Sequence, residues 1–367
     1  MWNWFRMVIL LRQRKTIKMN KVHNFSAGPA ILPQEAINAG VEALQNFANT
    51  GLSILEVSHR SKEYVAVMDE ARSLVKKLWG LNDDYEVLYL QGGASTQFLM
   101  VAYNVLAKKA GYIDTGVWAS KAIKEAKMFG EADVLASSKD KNYSYIPTDY
   151  QIPQDIDYLH FTSNNTIYGS QFQQFPETSV PLICDMSSDI FSRKIDATKF
   201  DLIYAGAQKN LGPAGATLVV VKKEILGKVS RQIPSMMDYN VHISKDSMFN
   251  TPPAFPVYVV LQTLKWIDRL GIDQVEARNT AKADLLYQEI DNNELFVGTV
   301  RKEDRSKMNA TFLLNDDSRN EAFLAACQEA NISGIKGHRS VGGFRASMYN
   351  ALELDSVKAL VNVMQTF

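Results

Sequence analysis

The sequence predicts an α/β protein in which a mostly parallel sheet lies between helices, followed by a smaller α+β domain at the C-terminal end. Residues 181–184, 202–204 and 216–221 are continuous apolar runs, which is typical of strands buried on both faces of a parallel sheet. Beyond residue 271 the pattern changes to long helices and short strands such as 311–314. The length of 367 residues favours two packed domains over a single core.

A helix, a strand and a second helix are expected in the first third of the chain. Residues 65–79 have apolar side chains at helical spacing, and Gly80 follows as a C-cap. Residues 86–90 are expected to form a short strand. The small residues within 91–98 then lead into an apolar helix over 99–106. We therefore predict a turn of small residues between this strand and the start of the helix.

The domain boundary is placed at Gly271, where a helical stretch over 258–270 ends. Residues 19–271 would form the large domain with an N-terminal arm, and residues 272–367 the small C-terminal domain. The sequence contains neither an internal repeat nor a low-complexity linker. We therefore expect the two domains to pack closely.

The segment 1–18 mixes aromatic, apolar and basic side chains. Its longest apolar run, residues 7–11, is far too short to cross a bilayer, and no small-residue cleavage site of a signal peptide follows it. We expect an N-terminal extension that is disordered or not native, with Met19 as the true start. A weak amphipathic targeting segment is the alternative.

Composition excludes several classes of function. Lys plus Arg and Asp plus Glu both number 40, so no overall field favours nucleic acid or an acidic membrane. The two cysteines, Cys184 and Cys327, are far apart without a CxxC motif, and the five histidines show no HxxxH or HExxH spacing. Neither a disulfide framework nor a metal site is therefore expected. These features fit a cytoplasmic protein.

Lys209 is the first candidate for catalysis. It follows the apolar run 202–204 and enters a turn rich in glycine, proline and alanine. A lysine in that position would point into a cleft, where desolvation lowers its pKa and allows a Schiff base with an aldehyde. An exposed loop lysine is the commoner case, and the neighbouring candidates argue against it here.

Asp185 is the second candidate, 24 residues before Lys209 at the end of the apolar run 182–184. A carboxylate at the end of a buried strand needs a partner. A protonated pyridine nitrogen is such a partner, because the charge pair keeps the ring electron-poor. Without the lysine at this distance, a helix cap would be the better interpretation.

Two further features fit an aromatic, phosphorylated cofactor. The turn Gly92-Gly93-Ala94-Ser95-Thr96 opens a helix, and the free N–H groups of a helix start bind phosphate without a basic side chain. Trp118 offers a flat face in a loop-like context, although a lone tryptophan more often packs in a core. Glycine turns before helices are also frequent.

Cationic side chains occur in two short motifs, Ser58-His59-Arg60 and residues 336–345, which include His338, Arg339 and Arg345. Arginine matches the geometry of carboxylates and phosphates. If the motifs meet in space, they would suit a substrate with a carboxylate at one end and a phosphate at the other. Two solvated basic surfaces are the alternative.

Five segments resemble the phosphoserine aminotransferase family, a class-V aminotransferase family, in the same order along residues 19–367. The segments are 25–29 (FSAGP), 56–60 (EVSHR), 205–215 (AGAQKNLGPAG), 249–253 (FNTPP) and 337–347 (GHRSVGGFRAS). The resemblance implies the fold type I, which is like that of aspartate aminotransferase. It also implies the cofactor pyridoxal 5'-phosphate and a homodimer with active sites at the subunit interface.

The same resemblance implies a role for each matching residue. Lys209 would form the Schiff base with the cofactor, Asp185 would hold the pyridine nitrogen, Trp118 would stack on the ring, and Thr166 would bond near the ring hydroxyl. The cofactor phosphate would be surrounded by Ala94, Ser95, Ser187 and Gln208, with Asn250 and Thr251 of the neighbouring subunit. Substrate carboxylate would bind Arg60 and Arg345, and substrate phosphate His59, His338 and Arg339.

One residue departs from part of the family. Some members have an arginine in the glycine turn where this chain has Ser95. The anionic end of the substrate would therefore have one positive charge fewer nearby. Backbone contacts to the cofactor phosphate need not change, and substrate affinity is where an effect is expected.

The activity implied is reversible transfer of the amino group of L-glutamate to 3-phosphohydroxypyruvate, giving 2-oxoglutarate and O-phospho-L-serine. This reaction belongs to L-serine biosynthesis, and the family often also serves pyridoxine biosynthesis. A cysteine desulfurase or another small-amino-acid aminotransferase is the alternative within the same chemistry. A dinucleotide-binding oxidoreductase would need an early GxGxxG turn, which the sequence lacks.

Overall fold

The computed structural model describes residues 21–367, so the predicted extension 1–18 lies outside the described residues. The helices of the described part are α1 (Gln34–Gln45), α2 (Lys62–Trp79), α3 (Gly93–Val105), α4 (Val117–Ala126), α5 (Tyr239–Ser244), α6 (Ala254–Leu270), α7 (Ile272–Asn292), α8 (Asn320–Glu329) and α9 (Leu354–Thr366). Its strands are β1 (His23–Asn24), β2 (Tyr85–Leu90), β3 (Lys109–Asp114), β4 (Glu131–Ser137), β5 (Leu159–Thr162), β6 (Leu182–Asp185), β7 (Leu202–Gly206), β8 (Thr217–Lys222), β9 (Phe296–Gly298), β10 (Asn309–Leu314), β11 (Ile332–Ser333) and β12 (Phe344–Ser347).

The largest sheet has seven strands in the order β2-β8-β7-β6-β5-β3-β4. Strand β8 runs antiparallel to both β2 and β7, while the other neighbouring pairs are parallel. The predicted mostly parallel α/β fold is therefore confirmed. Because β5, β6 and β7 run in the same direction, their carboxyl ends lie side by side at one edge of the sheet.

Both faces of this sheet are covered, which explains the uninterrupted apolar runs. In β6, Ile183 belongs to the apolar cluster that includes Phe98 of α3 and Ile123 of α4. Its neighbour Cys184 faces the other way, into the cluster that includes Leu264 of α6 and residues of α2. Successive strand residues point to opposite faces, so a strand between two helical layers has no place for exposed polar residues.

The predicted helix 65–79 is confirmed, and it begins earlier, at Lys62. The hydroxyl of Ser61 accepts a hydrogen bond from the Tyr64 N–H group at 3.3 Å, which caps the helix start. At the other end Gly80 has φ 63°, the left-handed conformation of a glycine C-cap.

The predicted start of α3 at residue 99 is wrong. The helix begins at Gly93, because the small residues of the glycine turn form its first turn. Glycine and serine are weak helix formers, which made this turn resemble a loop in the sequence. The helix start is therefore six residues closer to strand β2 than expected.

The C-terminal elements form a separate apolar cluster around the antiparallel sheet β12-β10-β9. Strand β1 pairs in parallel with β11, and the side chain of Phe25 is buried in this same cluster. The first described residues thus pack with C-terminal elements. Gly271 separates α6 from α7, and the domain division placed there stays a prediction.

Candidate active site

A cavity of about 410 Å³ lies where the sheet meets the start of α3. Asp185 ends β6, Gly206 ends β7, and both residues contribute to its wall. The crevice beyond the carboxyl ends of parallel strands is where α/β proteins commonly bind ligands. The lining residues are Gly92, Gly93, Ala94, Ser95, Trp118, Asp185, Ser187, Gly206, Ala207, Gln208, Lys209, Ala214, Gly215 and Ala216.

Lys209 lies three residues beyond the end of β7, and its Nζ atom donates a hydrogen bond to Thr166 Oγ1 at 2.7 Å. Burial lowers the pKa of the amine to about 8, while the nearby carboxylate of Asp185 opposes that shift. Nζ also lies 5.5 Å from the centre of the Trp118 ring. The lysine is therefore held by a neutral hydroxyl, in surroundings that favour an unprotonated amine.

Asp185 is the last residue of β6 and is 4% exposed. Its Oδ1 atom accepts a hydrogen bond from the Ser187 N–H group at 2.9 Å. Burial raises the pKa of this carboxyl, and the charge of Lys209 and the Ser187 bond act in the opposite direction. The carboxylate thus lacks a full cationic partner, which a protonated pyridine nitrogen would supply.

A second buried carboxylate, Asp189, was missed from the sequence. It accepts hydrogen bonds from the Ser163 hydroxyl and, at 3.1 Å, from Gln171 Nε2. Its charge raises the pKa of Lys209, as that of Asp185 does. A second aspartate four residues after Asp185 was the available signal, but the sequence gives no sign that it is buried.

The glycine turn brings backbone close to the end of β7. Gly92 and Gly93 have φ of 87° and 65°, conformations that favour glycine. A Cβ atom on Gly206 would lie 3.5 Å from the Ala94 nitrogen, so the missing side chain keeps this space open. No side chain caps α3, and the first N–H groups of a helix have no partner within it. An anionic group would satisfy them.

Thr166 connects the lysine to Arg345. Its hydroxyl accepts from Lys209, and its carbonyl oxygen accepts from Arg345 Nη1 at 3.3 Å. The Nε atom of Arg345 is buried and has no hydrogen-bond partner. The hydroxyl of Tyr349, four residues further on, donates to the Ala27 carbonyl at 2.7 Å. Arg345 is therefore fixed at one end and retains an unused donor.

The remaining predicted site residues do not line this cavity. Asn250 Nδ2 donates to the Thr251 carbonyl at 3.3 Å and lies 3.5 Å from Gln91 Oε1, beside the glycine turn. The other members of this group lie on loops: His59 and Arg60 before α2, and His338 and Arg339 before β12. Their predicted roles stay predictions, because none of these four residues lines the cavity.

Neither thiol lines the cavity. Cys184 lies in β6 and Cys327 in α8, and both are fully buried. Burial raises the pKa of Cys184 well above its ordinary value and that of Cys327 to about 12. Neither is a candidate for the mobile, ionised nucleophile that a desulfurase needs.

Pyridoxal phosphate fits these residues. The amine of Lys209 would meet its aldehyde, and the buried carboxylate of Asp185 lacks the cation that its ring nitrogen would provide. The open space beside Gly206 and the uncapped start of α3 would accept its phosphate.

Within residues 21–367, His, Cys, Asp and Glu nowhere group in threes that could hold a metal ion. Every helix in that range is too short or too polar to cross a bilayer.

Comparisons with known proteins agree on one family. The family model "Aminotransferase class-V" matches residues 22–360. A phosphoserine aminotransferase of Flavobacterium psychrophilum is 61% identical over 94% of this chain and 98% of that protein. One of Flavobacterium johnsoniae is 62% identical over 94% of this chain and 98% of its own length.

Solved structures show the same similarity. Phosphoserine aminotransferase from Bacillus circulans subsp. alkalophilus has a TM-score of 0.92 and 45% identity, covering 94% of this chain and 98% of that one. A structure describing radiation damage of the Schiff base in phosphoserine aminotransferase has a TM-score of 0.91 and 46% identity. That comparison covers 95% of this chain and 99% of the other.

Proposed function

The chain belongs to the class-V aminotransferases, within them to the phosphoserine aminotransferase family, and is a pyridoxal-phosphate-dependent transaminase; from this premise we propose its substrates. We propose that it transfers the amino group of L-glutamate reversibly to 3-phosphohydroxypyruvate, giving 2-oxoglutarate and O-phospho-L-serine. The single observation that carries the proposal is the cavity in which Lys209 and Asp185 interact beside the glycine turn.

Several residues in and around the cavity have a proposed task. Lys209 binds the cofactor aldehyde, and Asp185 holds the pyridine nitrogen in its charged form. Trp118 stacks on the ring, and Thr166 bonds near the ring hydroxyl. The proposed phosphate ligands are Ala94, Ser95, Ser187 and Gln208, with Asn250 and Thr251 of a neighbouring subunit.

When bound, the cofactor supplies an aldehyde that accepts an amino group and a ring that withdraws electrons from the substrate α-carbon. Lys209 removes the α-proton of glutamate in the first half of the reaction. In the second half it returns a proton to the α-carbon of the product, O-phospho-L-serine. A pKa of about 8 suits both directions, because a general base works best when its pKa is near the operating pH. The Thr166 hydroxyl, 2.7 Å from Nζ, keeps the amine in the cavity between these steps.

Substrate recognition is assigned to the cationic residues. Arg345 would bind the substrate carboxylate, since its buried Nε has no partner and its Nη1 is already fixed to Thr166. Arg60 would assist it, and His59, His338 and Arg339 would bind the substrate phosphate. Both amino acids and both keto acids carry a carboxylate, so one arginine site serves each half of the reaction.

We further propose a homodimer with active sites at its interface. His59, Arg60, Asn250 and Thr251 stand outside the cavity of their own chain, and a two-fold arrangement would bring such residues to the site of the neighbour. The large domain would span residues 19–271 and the small domain 272–367. The physiological role proposed is cytoplasmic L-serine biosynthesis, with a second role in pyridoxine biosynthesis through formation of 4-phosphohydroxy-L-threonine.

The test is to follow the amino group itself. The purified holoenzyme is mixed with L-glutamate carrying ¹⁵N and with 3-phosphohydroxypyruvate, and the products are identified by mass spectrometry. Labelled O-phospho-L-serine together with 2-oxoglutarate is the expected result. Transfer to unphosphorylated hydroxypyruvate or to glyoxylate at an equal or higher kcat/KM would reject the proposed acceptor and leave the transaminase assignment intact.

A further inference from the structure

A group of cations lies around Trp118, and one of its members has no role in the scheme above. Lys121 follows Trp118 by one helical turn in α4, and its Nζ lies 4.5 Å from the centre of the indole ring. The same ring is a wall of the cavity and lies 5.5 Å from Lys209 Nζ. Lys121 is exposed, so its amine can reach a ligand that enters over Trp118.

Packing fixes the loop of His338 against this helix. Val341, like Val117 and Trp118, packs against a small apolar cluster formed by Tyr143, Ile167 and Tyr168. The carbonyl of His338 accepts the N–H groups of Val341 and Gly342, each at 2.9 Å. This packing keeps the loop of His338 near the start of α4, and the charge of Lys121 is close enough to lower the pKa of His338.

Several positive charges lie close together here. After burial, the charges of Arg345, Arg339 and Lys121 all lower the pKa of His338. Across residues 21–367, no carboxylate lies within salt-bridge distance of Lys121, Arg339 or Arg345. Like charges held together repel one another, and a multiply charged anion would relieve that repulsion.

The glycine turn does not contribute a charged side chain to the cavity. Ser95 lines the same cavity as Trp118, and its side chain is neutral. Ser95 therefore supplies no cation to a phosphorylated substrate that binds beside the cofactor, whereas Lys121 lies against Trp118. Lysine suits this position because it is a flexible point charge, which binds phosphate without requiring a fixed fork geometry.

We propose that Lys121 is a substrate-binding residue that recognises the phosphate of the phosphorylated keto acid and amino acid. The inference rests on the proposed function, since it needs a phosphorylated substrate. It assigns the specificity for that phosphate to a residue of α4 in addition to the loop residues His338 and Arg339. L-Glutamate and 2-oxoglutarate have no phosphate, so Lys121 acts in one half of the reaction.

The test compares Lys121→Met with Lys124→Met in the holoenzyme. Lys124 is exposed on the same helix, so its variant controls for loss of one surface charge. With Lys121→Met, the KM for 3-phosphohydroxypyruvate should rise about tenfold or more, the effect of one charge-assisted hydrogen bond. Lys121→Arg should restore most of it. An equal rise in the KM for L-glutamate, or no rise, would overturn the inference.

A second readout does not depend on turnover. Inorganic phosphate is titrated into holoenzyme with ¹⁵N-labelled histidine, and the His338 resonance is followed. Phosphate should shift this resonance in the wild type and in Lys124→Met, with about tenfold weaker binding in Lys121→Met. If the wild type fails to use 3-phosphohydroxypyruvate, the proposed function is wrong. Equal phosphate affinity in all three proteins refutes the role of Lys121 separately.

Discussion

The amine of Lys209 should be far more reactive at neutral pH than that of other lysines, and Asp185 should limit this reactivity. Burial lowers the pKa of Lys209 to about 8, and the negative charge of Asp185 opposes the shift. Replacing Asp185 by asparagine keeps the size of the side chain and removes that charge. The pKa of Lys209 should then fall further, by about one unit or more, as expected for losing a nearby opposite charge.

The size of the effect follows from the proton equilibrium. With a pKa of about 8, roughly a tenth of the amine is neutral at pH 7, against roughly one part in 3,000 for an ordinary lysine. Lys209 should thus present about 300 times more nucleophilic amine. In Asp185→Asn the neutral fraction should approach about one half.

The assay is competitive labelling of the apoenzyme with an amine-reactive reagent across pH 6 to 11, read by peptide mass spectrometry. The exposed Lys245 serves as the internal reference in every sample. Labelling of Lys209 should reach half of its maximum near pH 8 in the wild type and at lower pH in Asp185→Asn. A wild-type midpoint near pH 10.5, or a midpoint that rises in the variant, would refute the reasoning.

Three further predictions concern residues around the site. Lys282 is 1% exposed, and its Nζ contacts two backbone carbonyls at 2.9 and 2.7 Å, with its pKa held well below the ordinary value by burial. Lys282→Met should lower the free energy of unfolding by about 2 to 4 kcal/mol. The loss should be larger at pH 9 than at pH 7, because an amine whose pKa is lowered by folding adds stability as pH rises; urea unfolding at equal protein concentration measures both. Gly92→Ala would place a Cβ 1.9 Å from the Thr96 hydroxyl at φ 87°, so it should weaken cofactor binding in a fluorescence titration. The control Gly51→Ala has a similar φ of 79° but no atom within 4 Å of the new Cβ, so it should leave cofactor binding unchanged. Burial lowers the pKa of His160 to about 3, so its NMR resonances should show no titration between pH 5 and 8, and a midpoint in that range would contradict its burial.

Much of the fold could be read from the sequence because local patterns determine it. The continuous apolar run before Asp185 identified a strand covered on both faces, and Gly80 identified the end of α2. The start of α3 was placed too late because glycine and serine have low helix propensity. In the structure the helix nevertheless begins at Gly93, three residues after the end of β2.

Contacts between distant segments could not be predicted in the same way. Thr166 bonds Lys209 across 43 positions of the chain, and Asp189 binds Ser163 and Gln171 in a loop without periodicity. The pairing of β1 with β11 joins segments about 300 positions apart, residues 23–24 and 332–333. Such contacts depend on how loops pack, and a single sequence contains no repeating signal for them.

The central claim is that Lys209 binds the cofactor and that the bound group accepts an amino group from glutamate and gives it to a phosphorylated keto acid. The most direct measurement is the visible absorbance of the purified protein with pyridoxal phosphate. The lysine-linked band should disappear on addition of L-glutamate, return with 3-phosphohydroxypyruvate, and be missing in Lys209→Ala. A band that persists in Lys209→Ala, or that glutamate leaves unchanged in the wild type, would contradict the account.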